Sequence, residues 1–147
     1  WRTSRPHMDV VGAIPGTEHF RNIERYDVVQ SPKVLSVRVD ESLYFPNARY
    51  LEERVAALAF ESPRIEHLVL MCSGVNHIDA SALNSLAAIA ERLKAAGVQL
   101  HLSEVKGPVM DRLKNTEFLH AFGGEVFVSQ FQALQCLDPE SAAKAAR

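Results

Sequence analysis

The sequence has few cysteines and no long apolar run. Cys72 and Cys136 are its two cysteines, and neither belongs to a Cys-x-x-Cys or Cys/His metal-binding spacing. We interpret both as ordinary core or near-surface thiols. The apolar runs span only a few residues, whereas crossing a bilayer takes ~20, and we expect no secretory leader. We therefore expect a soluble domain from a reducing compartment.

The sequence also lacks a large excess of either charge and the common ligand-binding motifs. The chain carries 16 Lys and Arg against 18 Asp and Glu, a net charge of -2 that would not attract nucleic acid. Neither G-x-G-x-x-G nor the Walker-type G-x-x-x-x-G-K occurs, which excludes the usual dinucleotide and nucleoside triphosphate cradles, and the hydrolase turn G-x-S-x-G is absent. The 6 histidines share no ligand spacing. We expect no nucleic-acid partner, no cofactor and no metal site.

Strand and helix patterns alternate along the rest of the chain. Apolar or alternating runs predict strands, and apolar residues at i, i+4 and i+7 predict amphipathic helices. The first half of the chain is predicted to form strands at 8–11 and 34–40, a helix capped by Asn47, and a strand at 65–72. A helix at 80–96 closed by Gly97 and a strand at 98–105 follow. The rest is predicted to form a helix opened by Gly107 and Pro108, a strand at 126–128 and a helix capped by Ser129. Because helical crossovers join parallel neighbours, we expect an α/β fold with a mainly parallel four- to five-stranded sheet, an N-terminal edge strand and about four helices.

The length of 147 residues suits one domain with a single core. We expect a linker at 1–7 that follows a missing upstream part, the domain itself at 8–137, and a frayed tail at 138–147. Between the first two strands, residues 16–26 are interpreted as a solvated loop or edge structure with Phe20 and Ile23 turned inward, or alternatively as a docking surface.

A sharp change from strand to helix occurs between His67 and Leu83. Ser73, Gly74 and Asn76 interrupt the strand, and Asp79 precedes a helical pattern. Asp79 is a natural N-cap, because its carboxylate accepts from backbone N–H groups of the first turn, where Ser81 lies. In a parallel sheet, ligands and partners meet the edge where helices begin. We therefore expect this turn, with the turn at Lys106, Gly107 and Pro108, to form the functional edge.

A catalytic site at this edge has little support. A triad would have to be assembled from Ser81, His77 and Asp79, but Asp79 is better used as a cap and nothing orients an imidazole on the serine. His101 and Glu104 offer no better spacing. We expect no catalytic residues.

The buried strand, the N-H-I-D-A-S-A-L turn and the long helix that follows resemble the STAS domain. This family includes anti-sigma-factor antagonists and the cytoplasmic C-terminal part of SulP-type anion transporters. The resemblance extends over nearly the whole chain, and four segments are similar to the transporter branch in particular, namely 5–26, 37–55, 77–83 and 100–113.

The resemblance implies a regulatory or assembly role for a cytoplasmic domain of an inner- or plasma-membrane protein. Its partners would be the transmembrane part of the same polypeptide and a regulatory protein or serine kinase, with a homodimer left open. In free-standing antagonists the motif is close to D-S-S-G-L, and the kinase-modified second serine falls on Ser81. Ala80 and Ala82 depart from that motif, and the methyl group of Ala82 would meet an approaching partner. The implied interaction loop comprises His77, Ile78, Asp79, Ala80, Ser81 and Ala82, next to Lys106, Gly107 and Pro108.

Two functions are therefore in view. The first is the STAS domain of a sulfate-type permease, acting by docking. The second is a free-standing anti-sigma-factor antagonist controlled by phosphorylation of Ser81. Weak nucleotide or anion binding at the helix start, Ala80 to Ala82, is a further expectation.

Overall fold

The computed structural model of the chain describes residues 7–40, 42–43 and 45–147. In this part of the chain, six strands form one sheet in the order β2-β1-β3-β4-β5-β6. The strands are β1 Met8–Ala13, β2 Phe20–Asn22, β3 Val34–Val39, β4 His67–Met71, β5 Gln99–Ser103 and β6 Val126–Phe127. The helices are α1 Phe45–Phe60, α2 Ala80–Ala95, α3 Gly107–Lys114, α4 Phe118–Ala121, α5 Gln130–Leu137 and α6 Pro139–Ala145.

The predicted α/β class is confirmed, with one correction at the edge of the sheet. Strands β3 to β6 are parallel, and β1 runs antiparallel to both β2 and β3. The first strand is therefore not the edge, because residues 20–22 form an edge strand where a loop or edge structure was expected. Phe20 is buried there, as predicted, while Ile23 is half-buried.

The central strands are buried on both faces. Leu35, Leu70 and Leu102 point into one core cluster, which also contains buried residues of α1 to α4. The opposite face is covered by α5 and α6, and there Val69 packs in a cluster with Phe127 and others. The alternation at 34–40 suggested two different faces for β3, yet Ser36 is as buried as its apolar neighbours.

The tail predicted to be frayed is instead helical. Asp138 caps α6, since its carboxylate accepts from the backbone N–H of Ser141 at 3.3 Å, and it also accepts from the Ser31 hydroxyl at 2.5 Å. Ala142 and Ala145 are buried against the sheet. Alanines have high helix propensity but give little apolar signal, which explains the wrong prediction. Residues 1–6 of the predicted linker lie outside the described residues.

The predicted helix ends hold in all but one case. Ser129 accepts from the backbone N–H of Gln132 and begins α5, and Gly97 has the positive φ of 79° expected after α2. Helix α1 begins at Phe45, so Asn47 lies within the helix and is not its cap. The short helix α4 was not predicted, and its four residues are too few for a periodic pattern.

None of the helices in the described part of the chain is long and apolar enough to cross a membrane.

Candidate functional site

The turn between β4 and α2 is pressed closely against the end of β3. A Cβ on Gly74 would lie 2.6 Å from the Cα of Asp40 and 2.9 Å from its carbonyl carbon. Only glycine permits this approach, because both atoms belong to the backbone and cannot rotate away. The strand break predicted at Gly74 therefore fixes the position of the turn.

Residues 42–43 hold the turn from its other side. The backbone N–H of Leu43 donates to the carbonyl of His77 at 2.9 Å, and the N–H of Asp79 donates to the carbonyl of Leu43 at 3.1 Å. The hydroxyl oxygen of Ser42 accepts from the N–H groups of Asn76 at 3.3 Å and His77 at 3.2 Å. Four hydrogen bonds thus fix the backbone of the turn, and the side chains of Asn76 and His77 remain exposed.

Asp79 caps α2, as the sequence predicts. Its Oδ1 accepts from the backbone N–H of Ala82 at 2.9 Å, which satisfies one of the free donors of the first turn. Ser81 lies in that turn and is half-buried. Its hydroxyl is therefore placed near the positive end of a 16-residue helix.

The predicted interaction loop divides into an exposed and a buried set. His77 and Ala80 of this loop are exposed, as is the preceding residue Asn76, whereas Ile78 is 8% exposed and Ala82 is 0% exposed. Ile78 and Ala82 therefore belong to the core and not to a contact surface. The methyl group of Ala82 points inward, so the expectation that it would meet an approaching partner is wrong.

The turn after β5 lies beside the turn after β4, as the parallel topology predicts. The ammonium group of Lys106 donates to the side-chain oxygen of Asn76 at 2.7 Å. Gly107 and Pro108 are exposed and open α3. We call the set Asn76, His77, Ala80, Ser81, Lys106, Gly107 and Pro108 the loop surface.

A groove of about 460 Å³ extends the loop surface along α2. It begins at Ala80 and lies between α2 and the α3–α4 segment. Its lining combines small and polar side chains, including Ala80, Asn84, Ala87, Arg112, Asn115 and Glu117. The groove was not predicted from the sequence, although Ala80, Asn84 and Ala87 stand three to four residues apart on the polar face of the helix.

The turn after β5 is anchored to α5 by a residue in an unusual conformation. Glu104 has a φ of 57°, the one positive value for a non-glycine residue in the described ranges. This conformation lets its backbone N–H donate to the carbonyl of Phe127 at 3.3 Å and its carboxylate accept from the N–H of Gln130 at 2.8 Å. Glu104 is therefore a positioning residue for the neighbouring loop, which the sequence did not reveal.

A buried polar network continues from this anchor. The amide of Gln130 is fully buried; its nitrogen donates to the hydroxyl of Ser36 at 2.7 Å, and its oxygen accepts from Ser103 at 2.6 Å. Helix α5 is thereby tied to β3 and β5 at once.

Two histidines that are far apart in the sequence, His67 and His101, lie close together because β4 and β5 are neighbouring strands. Nδ1 of His67 and Nε2 of His101 are 3.0 Å apart. The backbone N–H of Glu125 donates to Nδ1 of His101 at 3.1 Å, so the proton of the neutral ring sits on Nε2 and is donated to His67. Burial, reinforced by His67, lowers the pKa of His101 to about 4.

A third histidine, His7, lies in an ion-pair cluster at the start of β1. Nε2 of His7 is 3.0 Å from the carboxylate of Asp9 and 3.8 Å from that of Asp40. These three residues have the reach to share a cation, but the Arg38 guanidinium already lies 3.3 Å from Asp9 and 2.8 Å from Asp40. The arginine supplies the positive charge that the carboxylates need.

The two cysteines differ in burial. Cys72 is buried next to the turn, and burial raises the pKa of its thiol to about 12, which leaves it protonated and inert. Cys136 is exposed on α5. Both positions agree with the interpretation of these residues as ordinary thiols.

Comparison with known proteins identifies the class to which this fold and surface belong. The STAS domain family matches residues 25–133, and this chain belongs to that family. It is 31% identical over 150 aligned residues to sulfate transporter 1.3 of Arabidopsis thaliana, an alignment that covers 95% of this chain and 23% of the transporter. High affinity sulfate transporter 2 of Stylosanthes hamata is 30% identical over 153 aligned residues, covering 97% of this chain and 23% of that protein. The chain thus spans about a quarter of the length of these relatives.

Solved structures confirm the fold. The murine Solute Carrier 26 family member A9 anion transporter superimposes with a TM-score of 0.81 at 20% identity, covering 94% of this chain and 23% of the transporter. A putative anti-sigma factor antagonist from Thermotoga maritima superimposes with a TM-score of 0.63 at 18% identity, covering 74% of this chain and 90% of the antagonist. Both branches named in the sequence resemblance therefore share this architecture.

Proposed function

We propose that this chain is the cytosolic regulatory domain of a SulP-type sulfate or anion transporter, and that it acts by docking and not by catalysis. The loop surface contacts the membrane part of the same polypeptide or a regulatory protein. This contact favours one conformation of the transporter over another, and so changes the transport rate. The observation that carries the proposal is an exposed, firmly held loop surface in a chain that aligns with a sulfate transporter over 95% of its length.

The construction of the loop surface supports a docking role. Its backbone is fixed by hydrogen bonds to residues 42–43, so little conformational entropy is lost on binding. Its exposed side chains, His77 and Lys106, offer hydrogen-bond donors and a positive charge. The adjoining groove provides a concave surface beside Ala80.

The first experiment measures sulfate uptake by the full-length transporter that carries this domain. Lys106→Glu reverses a charge on the loop surface and is expected to lower uptake several-fold at unchanged amounts of transporter in the membrane. Lys144→Glu is the matched control, because Lys144 is an exposed lysine on α6, outside the loop surface. Equal uptake by both variants and the wild type would contradict the docking role.

The gene sequence upstream of Trp1 provides an independent test. The proposal expects about ten or more hydrophobic segments of ~20 residues each. A start codon immediately before this domain would instead favour the free-standing antagonist.

The second candidate is an anti-sigma-factor antagonist controlled at Ser81. The likeness to the Thermotoga maritima antagonist favours it, as does the position of Ser81 in the first turn of α2. Phosphorylation would add about -1.5 to -2 charges beside the loop surface and repel an acidic partner. A cognate serine kinase with ATP should then label the wild type and Ser129→Ala but not Ser81→Ala, whereas equal labelling of all three would exclude Ser81.

We also propose, with less support, that the start of α2 binds a small anion or a nucleotide. Free N–H groups and the helix dipole favour an anion near Ala80. Titration of the chain with sulfate and with GTP, followed by amide NMR signals near Ser81, tests it directly. Signals that stay unchanged at millimolar ligand would reject anion or nucleotide binding.

A further inference from the structure

Strands β1 and β3 are paired over only part of their length. The last pair is Val11 opposite Ser36, although β1 continues to Ala13 and β3 already begins at Val34. Ala13 pairs instead with Val29. The N–H of Ala13 donates to the carbonyl of Val29 at 3.0 Å, and the N–H of Val29 donates to the carbonyl of Ala13 at 2.7 Å. The sheet is therefore open between the end of β1 and the start of β3.

The chain on the outer side of this opening is held at both ends. At one end, a Cβ on Gly12 would lie 2.6 Å from Cγ2 of Val28 and 2.8 Å from the carbonyl oxygen of Val29, so glycine permits the close approach to β1. At the other end, the hydroxyl oxygen of Ser31 accepts from the N–H of Val34 at 3.0 Å. The opening is therefore a fixed feature of the fold.

The opening forms a cleft of about 390 Å³, which we call the β1–β3 cleft. Its inner wall is mostly apolar and takes side chains from the cores on both faces of the sheet. These include Val10, Leu35 and Ile65 from one core and Val11, Phe20 and Leu134 from the other. Water in such a cleft finds few hydrogen-bond partners, so an apolar group can displace it favourably.

The rim of the β1–β3 cleft is polar and carries a cation. Gln30 and Arg64 line the cleft and are exposed. Among the described residues, no carboxylate forms an ion pair with Arg64, whereas Arg38 is paired with two. No acidic residue is found among the described residues that line the cleft. A guanidinium in this position favours a carboxylate, with which it forms charge-assisted hydrogen bonds.

We infer that the β1–β3 cleft binds a single-chain carboxylate amphiphile, the chemistry of a medium-chain fatty acid. The chain lies among the apolar side chains of the inner wall, and the carboxylate meets Arg64 at the rim. At ~30 Å³ for each water-sized group, the cleft holds roughly 13 such groups, which suits one chain of about ten carbons. A lipid with two long chains exceeds this volume.

The β1–β3 cleft lies at the opposite edge of the sheet from the loop surface. Val34 and Ile65 stand at the amino ends of β3 and β4, whereas the turns of the loop surface follow the carboxyl ends of β4 and β5. The inference therefore does not depend on the proposed docking function. It would stand even if Lys106→Glu left sulfate uptake unchanged.

Titration of the 147-residue chain with decanoate up to 5 mM, followed by amide NMR signals, tests the site. Signals of Gly12, Leu35 and Ile65 should shift together, with a dissociation constant on the order of 0.1–1 mM. Signals of Asn84 and Asn115, in the groove beside α2, should stay in place. Acetate lacks the chain and decyltrimethylammonium carries the opposite charge, so both should bind at least tenfold more weakly. Unmoved cleft signals, equal shifts in the groove, or a control ligand that binds as well as decanoate would overturn the proposal.

Two variants test the charge and the cavity separately. Arg64→Gln removes the cation and should weaken decanoate binding at least fivefold. Arg112→Gln is the matched control, because Arg112 is an exposed arginine that lines the groove instead, and it should leave binding unchanged. Val10→Phe places a ring in the cleft and should abolish the shifts, with circular dichroism to check that this variant is folded. Equal binding by the two arginine variants, or unchanged binding by folded Val10→Phe, would overturn the proposal.

Discussion

The two faces of the sheet are filled by different means. On the face covered by α1 to α4, buried aliphatic side chains from β3, β4 and β5 meet those of the helices. On the face covered by α5 and α6, hydrogen bonds join buried polar groups from distant parts of the chain, including Ser36, Ser103, Gln130 and Asp138. The first face is held by apolar burial, which is non-directional, and the second also by pairings that require particular partners.

This difference bears on the loop surface, because both faces end there. The start of α2 contributes to the loop surface on the first face. On the other face, Glu104 anchors the turn after β5 to α5. Changes on the first face should therefore lower stability in proportion to the apolar volume removed. Changes on the second should depend on which polar groups lose their partners.

The largest effect is expected from Leu70→Ala on the aliphatic face. Leu70 is 1% exposed in the centre of the sheet. Removing most of a buried leucine side chain should lower the free energy of unfolding by about 3–4 kcal/mol. Urea unfolding followed by circular dichroism measures it, with Leu70→Met as a control that keeps the volume and should cost less than about 1.5 kcal/mol. A small loss from the alanine variant would show that this face is loosely packed.

The aliphatic face was readable from the sequence, and the polar face was not. Strands at 65–72 and 98–105 and the helix at 80–96 follow from apolar periodicity, and their residues form the first core. The roles of Asp79, Gly97 and Ser129 at helix ends were predictable too, because they depend on neighbouring backbone groups and on the residue's own φ. The parallel topology then placed the turn at Lys106 beside the turn at Asn76.

The second face depends on contacts between residues far apart in the chain. Ser36 and Gln130 are 94 residues apart, and a buried serine looks like any exposed one in a sequence. The alanine-rich α6 gives too weak an apolar pattern to be distinguished from a frayed end. The buried positions of Ile78 and Ala82 follow from the direction in which the turn enters α2, which composition does not encode.

A pH-dependent loss of stability is expected from the polar face. The pKa of His101 is lowered from 6.5 to about 4 in the folded chain, so between these values the unfolded chain binds a proton more readily. The free energy of unfolding should therefore be highest above pH 6.5 and fall as the pH drops toward 4, by about 3 kcal/mol in total.

Comparison with His101→Gln isolates this contribution, because other acids titrate in the same range. Urea unfolding from pH 7.5 to 4 should give a difference between the two proteins that shrinks steadily toward acid pH. A constant difference across this range would mean that His101 does not resist protonation.

A smaller effect is expected from Gln130→Leu. The leucine side chain keeps the volume but leaves the hydroxyls of Ser36 and Ser103 buried without the amide, which should cost about 2 kcal/mol. The triple variant Gln130→Leu with Ser36→Ala and Ser103→Ala removes those hydroxyls as well and should recover most of the loss. If the triple variant is less stable than Gln130→Leu alone, the losses reflect packing and the contrast between the faces fails.

The smallest effect is expected from the two helix caps, a carboxylate on one face and a hydroxyl on the other, which accept from the same position in the first turn. Asp79 accepts from the N–H of Ala82 at 2.9 Å at the start of α2, and Ser129 accepts from that of Gln132 at 3.1 Å at the start of α5. Changing either residue to alanine should lower the free energy of unfolding by about 1 kcal/mol. Under the proposed docking function, only Asp79→Ala should also lower sulfate uptake by the full-length transporter, because its cap holds the first turn that carries Ala80 and Ser81. Asp79→Asn, which can still accept the hydrogen bond, should retain both stability and uptake. Equal uptake by the two alanine variants would separate the start of α2 from docking and leave the loop surface without its proposed role.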